Sequence, residues 1–215
     1  MAIDLTHTRA QKISDGAVHT AQLREFFALM DWFPAPAPIH PEKLWRGNKF
    51  AEERDELRDA LERDDLVAIA DGLGDMAYVV IATMLTYGVT SSLTGFSWTD
   101  LDDAAGVEKA LRRIPCVHPG ADLPCGMDCA AAHLDKSERR LRTVGDNPYA
   151  ARWHGLHALA GIDAVAVMTA TPMAAVFTEI HRSNMTKTRG RFGEPIKGPG
   201  YRAPILGPLL TVLDH

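Results

Sequence analysis

The 215-residue sequence has only three cysteines, no excess of positive charge and no apolar leader. With a net charge of −5, it lacks the concentrated basic face that binding to a phosphate backbone normally requires, so nucleic acid is not an expected partner. The first sixteen residues contain no apolar stretch behind a basic start, which predicts a cytoplasmic protein. Hydrophobic residues make up 46% of the sequence, which is enough for one sizeable core.

Long apolar runs free of charge are also missing. Residues 66–88 and 155–177 approach the length of a membrane span, but each contains Asp, and the second also contains Pro172. An Asp at the centre of a bilayer costs about 2.5–3.5 kcal/mol on insertion scales. We therefore interpret both stretches as core helices and expect no membrane association.

Hydrophobic spacing predicts a mostly helical chain. Between the first two predicted helices lies a segment with four prolines, residues 33–42, which predicts an extended connector. Asp64 or Asp65 can cap the third helix, and Gly88 can end it. The predicted helices cover residues 14–30, about 47–62, 66–87, and 150–187 with a break at Thr171-Pro172.

Residues 93–150 differ from the rest, because they contain Gly, Pro and Ser punctuation, two short amphipathic pieces and all three cysteines. The Gly- and Pro-rich end of the chain predicts a segment that runs over the surface. We therefore expect one all-α helical bundle over residues 1–215, with an insertion at approximately 93–150.

Two acidic residues stand inside the apolar third helix. Asp71 and Asp75 have no Lys, Arg or His anywhere between residues 66 and 88, and an unpaired buried charge must be neutralised or paired. In an antiparallel hairpin that turns at Asp64, Glu53 reaches the height of Asp75, and Glu56 that of Asp71. Together with Glu52, these residues form a predicted carboxylate cluster between two helices.

The predicted carboxylate cluster needs cations, because like charges this close raise one another's pKa. Oxygen ligands without His or Cys favour Mg²⁺ or Mn²⁺. A carboxylate-bound Mg²⁺ keeps open positions that suit a polyphosphate, which indicates phosphoanhydride chemistry. The alternative is a solvated charged face, which is typical of a stretch such as EERDELRDALERDD by itself. The acids in the apolar helix favour the metal site.

A family resemblance supports this interpretation. The pattern E-E-x-x-E at 52–56, followed by ADGLGDMAYVVIATMLTYGV, resembles the MazG-like and phosphoribosyl-ATP pyrophosphohydrolase-like branch of the all-α nucleoside triphosphate pyrophosphohydrolases. The segments VFTEIHRSNMTK at 176–187 and GEPIKGPGYRAP at 193–204 are similar to the ending of phage and bacterial members. The resemblance implies Mg²⁺-dependent cleavage of a nucleoside triphosphate to the monophosphate and pyrophosphate, by a homodimer or homotetramer.

The resemblance also implies roles for the acids of the cluster. Glu53, Glu56 and Asp75 match metal ligands, and Glu52 and Glu53 are the candidate catalytic residues, with Glu52 a ligand or the base that activates water. Many MazG proteins have E-x-x-D on the third helix, where this chain has Gly72 at the Glu position. Asp71, one residue earlier, is the candidate replacement. The departure leaves a catalytically inactive nucleotide-binding or regulatory protein as the alternative function.

The segments 176–187 and 193–204, here called the tail motif, contain side chains that can bind a nucleotide. Asn184 can pair with a base or sugar, and Lys187 can meet phosphate. Lys197 and Tyr201 lie in a stretch whose glycines let the backbone approach a ligand closely. The alternative is that Asn184 only caps a helix and that both lysines are solvated. We predict substrate binding by Asn184, Lys187, Lys197 and Tyr201.

The predicted insertion contains possible zinc ligands, five within eighteen residues: Cys116, His118, Cys125, Cys129 and His133. A Cys₃His site would staple a small lobe, although the spacing matches no common zinc finger. The alternative is reduced thiols packed as small apolar residues.

A carboxylate-bridged di-iron bundle would also bury acids between helices. That class needs Glu-x-x-His on two helices, and no Glu of this sequence has a His three residues later. The sequence therefore disfavours a di-iron site.

Overall fold

The computed structural model describes residues 14–32, 40–113, 127–145, 147–191 and 194–210, and these form an all-α helical fold, as predicted. The helices are α1 (Asp15–Leu29), α2 (His40–Glu62), α3 (Leu66–Thr86), a 3₁₀ turn (Thr90–Leu93), α4 (Ala104–Leu111), α5 (Met127–Arg142), α6 (Pro148–Met168), α7 (Met173–Asn184) and α8 (Gly207–Leu210). In the tail, β1 (Thr188–Arg189) pairs antiparallel with β2 (Pro195–Ile196), a pair that the Gly- and Pro-rich composition did not predict.

Helices α2 and α3 form the predicted hairpin. The turn between them places Asp64 at a φ of 51°. The Asp65 side chain accepts a hydrogen bond from the Ala68 N–H at 3.1 Å, so Asp65 is the N-cap. At the other end of α3, Gly88 has a φ of 68°, as expected of a glycine that ends a helix. Two helices adjacent in sequence therefore pack side by side.

The start of α2 corrects one sequence expectation. The proline-rich connector was predicted to extend to residue 42 and the helix to begin near Gly47, but α2 begins at His40. Pro41 therefore lies in the first turn, where the missing N–H of proline costs no hydrogen bond. Residues 33–39 of the predicted connector lie outside the described residues.

Helix α3 is the central element of the core. Its buried side chains include Leu73, Met76 and Ile81, each with no exposed surface. By length and composition α3 could cross a membrane, but 61% of its apolar window is buried inside the protein. Helices α6 and α7 pass the same test only as a pair, and they bend by 111° at the predicted break. These features agree with the interpretation of both apolar stretches as core helices.

Asp163 on α6 is the acid of the second apolar stretch, and both of its carboxylate oxygens have partners. Its Oδ1 accepts from the Thr99 N–H at 2.9 Å and its Oδ2 from the Thr99 hydroxyl at 2.8 Å, while Arg113 lies 3.4 Å away. Asp163 therefore has a structural role, because it fastens the segment before α4 to α6. The insertion boundaries at 93 and 150 stay a prediction.

Candidate active site

The first acids of the cluster lie on α2 around a lysine. Glu53 is 4% exposed, whereas Glu52 and Glu56 are exposed. The Lys49 ammonium lies 2.7 Å from Glu53 Oε1 and 3.0 Å from Glu52 Oε1. Burial raises the pKa of Glu53, and the neighbouring Lys49 opposes that rise. Sequence reasoning missed Lys49, although its spacing of four residues from Glu53 is a signal for such a pair.

Asp71 and Asp75 on α3 differ from Glu53, because neither forms a hydrogen bond or ion pair within the described part of the chain. Burial raises the pKa of Asp75 to about 7, and the charges of Glu53 and Asp71 act in the same direction. Burial also raises the pKa of Asp71, where the charge of Glu56 adds to the effect. The acids that the hairpin geometry paired therefore lie near enough for their charges to act on one another.

Gly72 packs against Leu57 of α2. A Cβ at this position would lie 3.2 Å from the Leu57 Cβ and 3.4 Å from the Leu57 Cα. Since Leu57 is buried at 1% exposure, a Glu side chain at 72 would be directed into the contact between α2 and α3. Asp71, which is only half-buried, lies on the side that carries the other acids.

The tail brings positive charge to the same acids. Lys187 follows the end of α7, and its charge lowers the pKa of both Asp71 and Asp75. The charge of Lys197, on the segment after β2, acts on Asp71. The Lys197 ammonium also lies 5.1 Å from the centroid of the Tyr201 ring. Two lysines that are distant in sequence thus approach carboxylates that have no partner of their own.

Asn184 and Tyr201 lie at the end of α7 and in the segment that follows it. Tyr201 Oη accepts a hydrogen bond from Ser183 Oγ at 3.3 Å. Asn184, the next residue along α7, is 4% exposed. The segment that carries Lys197 and Tyr201 therefore folds back onto the end of α7, close in sequence to Lys187.

Three residues of this region were not predicted as site residues: Glu25, Tyr78 and His181. The Tyr78 hydroxyl lies 3.2 Å from His181 Nδ1, and His181 Nε2 lies 3.4 Å from Glu25 Oε2. Burial raises the pKa of Tyr78 and lowers that of His181. Both side chains are therefore neutral near pH 7. No sequence pattern could pair them, since they lie on α1, α3 and α7.

The described residues test the zinc prediction only in part, because Cys116, His118 and Cys125 lie outside them. Cys129 has no exposed surface and His133 is 4% exposed. His133 Nε2 lies 2.9 Å from His157 Nδ1, so the imidazole already has a partner. Zinc in the insertion stays a prediction. Metal analysis of protein purified without chelator tests it, and a zinc content near zero would refute it.

The residues of the cluster fit a hard divalent cation by their chemistry. Asp71 and Asp75 are carboxylates without protein partners in the described part of the chain. Glu52 and Glu53 are paired with Lys49, which a cation at Glu53 would have to displace. Over the described ranges, no three His, Cys, Asp or Glu side chains converge as metal ligands in their present rotamers. Binding would therefore require the acids to turn toward a shared ion, which rotation of their side chains allows.

Comparison with known proteins was made at three levels. Residues 25–95, about a third of the chain, match the family model described as phosphoribosyl-ATP pyrophosphohydrolase. Searches of curated proteins and of solved structures found no match. The matched residues run from α1 to the segment after α3 and include every acid of the carboxylate cluster. The resemblance predicted from the sequence is thereby confirmed over residues 25–95, which are similar to the phosphoribosyl-ATP pyrophosphohydrolase family.

Proposed function

We propose that the protein is a Mg²⁺- or Mn²⁺-dependent nucleoside triphosphate pyrophosphohydrolase. The family match points to a pyrophosphohydrolase, a hydrolase that acts on acid anhydrides. The observation that carries the finer proposal is the pair Asp71 and Asp75, which lack protein partners and approach Glu53, Glu56 and two lysines from the tail. A structural role of the Asp163 kind would have provided hydrogen-bond donors.

Four carboxylates would hold the cation: Glu53, Glu56, Asp71 and Asp75. A bound Mg²⁺ supplies neutralisation of the charge that develops on the phosphate oxygens. The protein's part is to supply these carboxylates, which would turn toward the ion, and to place positive charges that favour their ionised forms. Lys187 contributes to this, because its charge lowers the pKa of Asp71 and Asp75.

Glu52 is the proposed general base. Its side chain is 57% exposed beside Glu53, where a water molecule can reach it. Glu52 would accept a proton from water as the water oxygen bonds to the α-phosphorus. The bond from that phosphorus to the bridging oxygen then breaks, and pyrophosphate leaves with the electron pair. Lys187 and Lys197 would stabilise the negative charge on the phosphates.

The proposal extends to the role and location of the protein. We infer that it acts in the cytoplasm and controls the (d)NTP pool.

The proposal also includes assembly into a homodimer or homotetramer. Tyr149 and Trp153 lie four residues apart on α6 and are 78% and 66% exposed, so they suit an interface between copies. Light scattering during size-exclusion chromatography tests the assembly, and a monomer at all concentrations would refute it.

A pyrophosphate-release screen tests the activity. The common ribo- and deoxynucleoside triphosphates are supplied with Mg²⁺ or Mn²⁺, beside a variant with both Glu53→Ala and Glu56→Ala. We expect release from at least one nucleotide and a loss of about 100-fold or more in the double variant. Glu62→Ala, which removes an exposed acid from the same helix, is the matched control and should retain activity.

A negative result of the pyrophosphate-release screen would contradict the proposed activity. If the folded protein releases pyrophosphate from no nucleotide with either cation, the enzymatic proposal fails. The alternative, a catalytically inactive nucleotide-binding or regulatory protein, then applies. Equilibrium binding of the same nucleotides would distinguish that alternative from a protein that does not recognise nucleotides.

A further inference from the structure

Lys49 is the cation that directly contacts the carboxylate cluster in the part of the chain that the structure describes. Its ammonium lies 2.7 Å from Glu53 Oε1 and 3.0 Å from Glu52 Oε1. One ammonium thus bridges two carboxylates of α2. The proposed chemistry gives a role to each glutamate but none to Lys49, so the presence of this lysine requires an explanation.

The contact with Glu53 differs from an ordinary ion pair on a helix surface. A Lys and a Glu four residues apart on a solvated helix contribute little to stability. The Glu53 side chain, however, is only 5% exposed, and within the described ranges Lys49 is its ion-pair partner. Because burial disfavours a carboxylate charge, an ionised Glu53 needs a cation beside it.

The Lys49 ammonium lies at the outer edge of the cluster. The side chain of Lys49 is 34% exposed and that of Glu52 is 57% exposed, so water reaches this edge. Lysine carries its charge on a flexible four-carbon stem, whose bonds rotate between staggered positions. The ammonium can therefore withdraw from Glu53 into solvent while the backbone of α2 stays in place.

A divalent cation would compete with this ammonium for the same carboxylate oxygens. At equal distance, Mg²⁺ or Mn²⁺ attracts Glu53 about twice as strongly as a single positive charge. The ion would also gain Asp71 and Asp75 as ligands, and the ammonium contacts neither of them. Exchange therefore favours the divalent ion, although breaking both contacts of Lys49 lowers the net affinity.

We propose that Lys49 is an internal cation that occupies the metal's place at Glu53 and sets the metal affinity of the site by competition. In the metal-free protein the ammonium balances the charge of the buried carboxylate. When the divalent ion binds, the ammonium moves outward. This inference rests on the proposed function, because it takes Glu53 as a metal ligand.

Titration calorimetry with Mn²⁺, without nucleotide, measures the competition. Lys49→Met keeps an unbranched side chain and removes the charge, so we expect its Kd for Mn²⁺ to be about tenfold lower than that of wild type. Lys49→Arg keeps a competing cation and should bind Mn²⁺ much as wild type does. Circular dichroism verifies that each variant is folded. A folded Lys49→Met protein that binds Mn²⁺ no more tightly than wild type would refute the proposal.

The matched control is Arg112→Met on α4. Arg112 Nη2 lies 2.6 Å from Glu108 Oε1, so this variant also removes the cation of an ion pair with a spacing of four residues. Glu108 is not a member of the carboxylate cluster. The Kd for Mn²⁺ should therefore stay at its wild-type value, which separates the effect of Lys49 from a general loss of positive charge.

Displacement of the ammonium can be observed in the wild-type protein. Spectra that detect lysine Nζ through the Cε protons report on each ammonium, and loss of one signal in Lys49→Arg assigns Lys49. We expect saturation with diamagnetic Mg²⁺ to shift the Lys49 Nζ signal and to leave that of Lys136, an exposed lysine on α5, in place. A Lys49 signal that does not move at saturating Mg²⁺ would refute displacement.

Failure of this inference is distinguishable from failure of the proposed function. If neither wild type nor Lys49→Met binds Mn²⁺, the competition is refuted, and the pyrophosphate-release screen still decides whether the protein is a hydrolase. If Mn²⁺ binds and Lys49 competes with it while the screen detects no release, the enzymatic proposal fails and the role of Lys49 is retained.

Discussion

Asp75→Asn is expected to reduce kcat/KM by about 100-fold or more while making the metal-free protein more stable at pH 8. The loss of activity follows from the removal of a charged oxygen from the proposed metal site. The gain in stability follows because wild-type Asp75 is ionised at pH 8 without a hydrogen bond or ion pair in the described part of the chain. Both effects follow from removal of the Asp75 charge, which lowers kcat/KM and raises the free energy of unfolding.

The pH dependence of the free energy of unfolding independently predicts that an ionised Asp75 destabilises the folded protein. Burial raises the pKa of Asp75 to about 7, above its ordinary value. In this window the folded state binds more protons than the unfolded state, so the free energy of unfolding falls as pH rises from about 4 to about 7. Asp75→Asn should weaken this fall, although Glu53 and Asp71, whose pKa values also rise, contribute part of it.

The measurement is thermal or urea unfolding in chelator at pH 5 and pH 8, beside steady-state kinetics with Mg²⁺. Stabilisation at pH 8 should be on the order of 2 kcal/mol and should be much smaller at pH 5. Added Mg²⁺ should stabilise wild type more than the variant. A variant that retains wild-type kcat/KM would remove Asp75 from the proposed ligand set.

Lys187→Ala is expected to retain the fold and lose most of its turnover, by about 100-fold in kcat/KM. Lys187 is the tail cation whose charge reaches both Asp71 and Asp75. Its removal eliminates a positive charge that would face the phosphates. Without this charge the pKa values of Asp71 and Asp75 should rise. The acidic limb of the pH–rate profile should therefore move to higher pH.

The control for this variant is Lys136→Ala, since Lys136 is an exposed lysine on α5 outside the candidate site. Circular dichroism and unfolding curves of both variants verify that the fold is intact. An unchanged kcat/KM in Lys187→Ala would place this lysine outside the site. A lower kcat/KM with an unmoved acidic limb would assign Lys187 to phosphate contact alone.

The local part of the fold could be predicted from the sequence. Helix α3 and its cap at Asp65 follow from an apolar run that begins after an acidic turn, and both depend on neighbouring residues only. The matching heights of Glu53 and Asp75 needed only the turn and the helical rise. The all-α fold class followed from the same periodicity.

Tertiary contacts account for what could not be predicted. The contacts of His181 with Tyr78 and with Glu25 join α7 to α3 and α1, and no local pattern encodes them. The early start of α2 was missed because prolines usually exclude a helix, although Pro41 needs no hydrogen bond in a first turn. Lys49 was missed because a lysine four residues before a glutamate is common on solvated helices.

The contact of Gly72 with Leu57 restricts how the ligand arrangement could change during evolution. Exchanging Asp71 for a Glu at position 72 requires two substitutions, and each one alone is unfavourable. The loss of Asp71 removes an acid, while Gly72→Glu places a long charged side chain where even a Cβ would lie 3.2 Å from its neighbour. We therefore expect the two positions to be epistatic, because a side chain at position 72 also requires Leu57 to shift by a few tenths of an ångström.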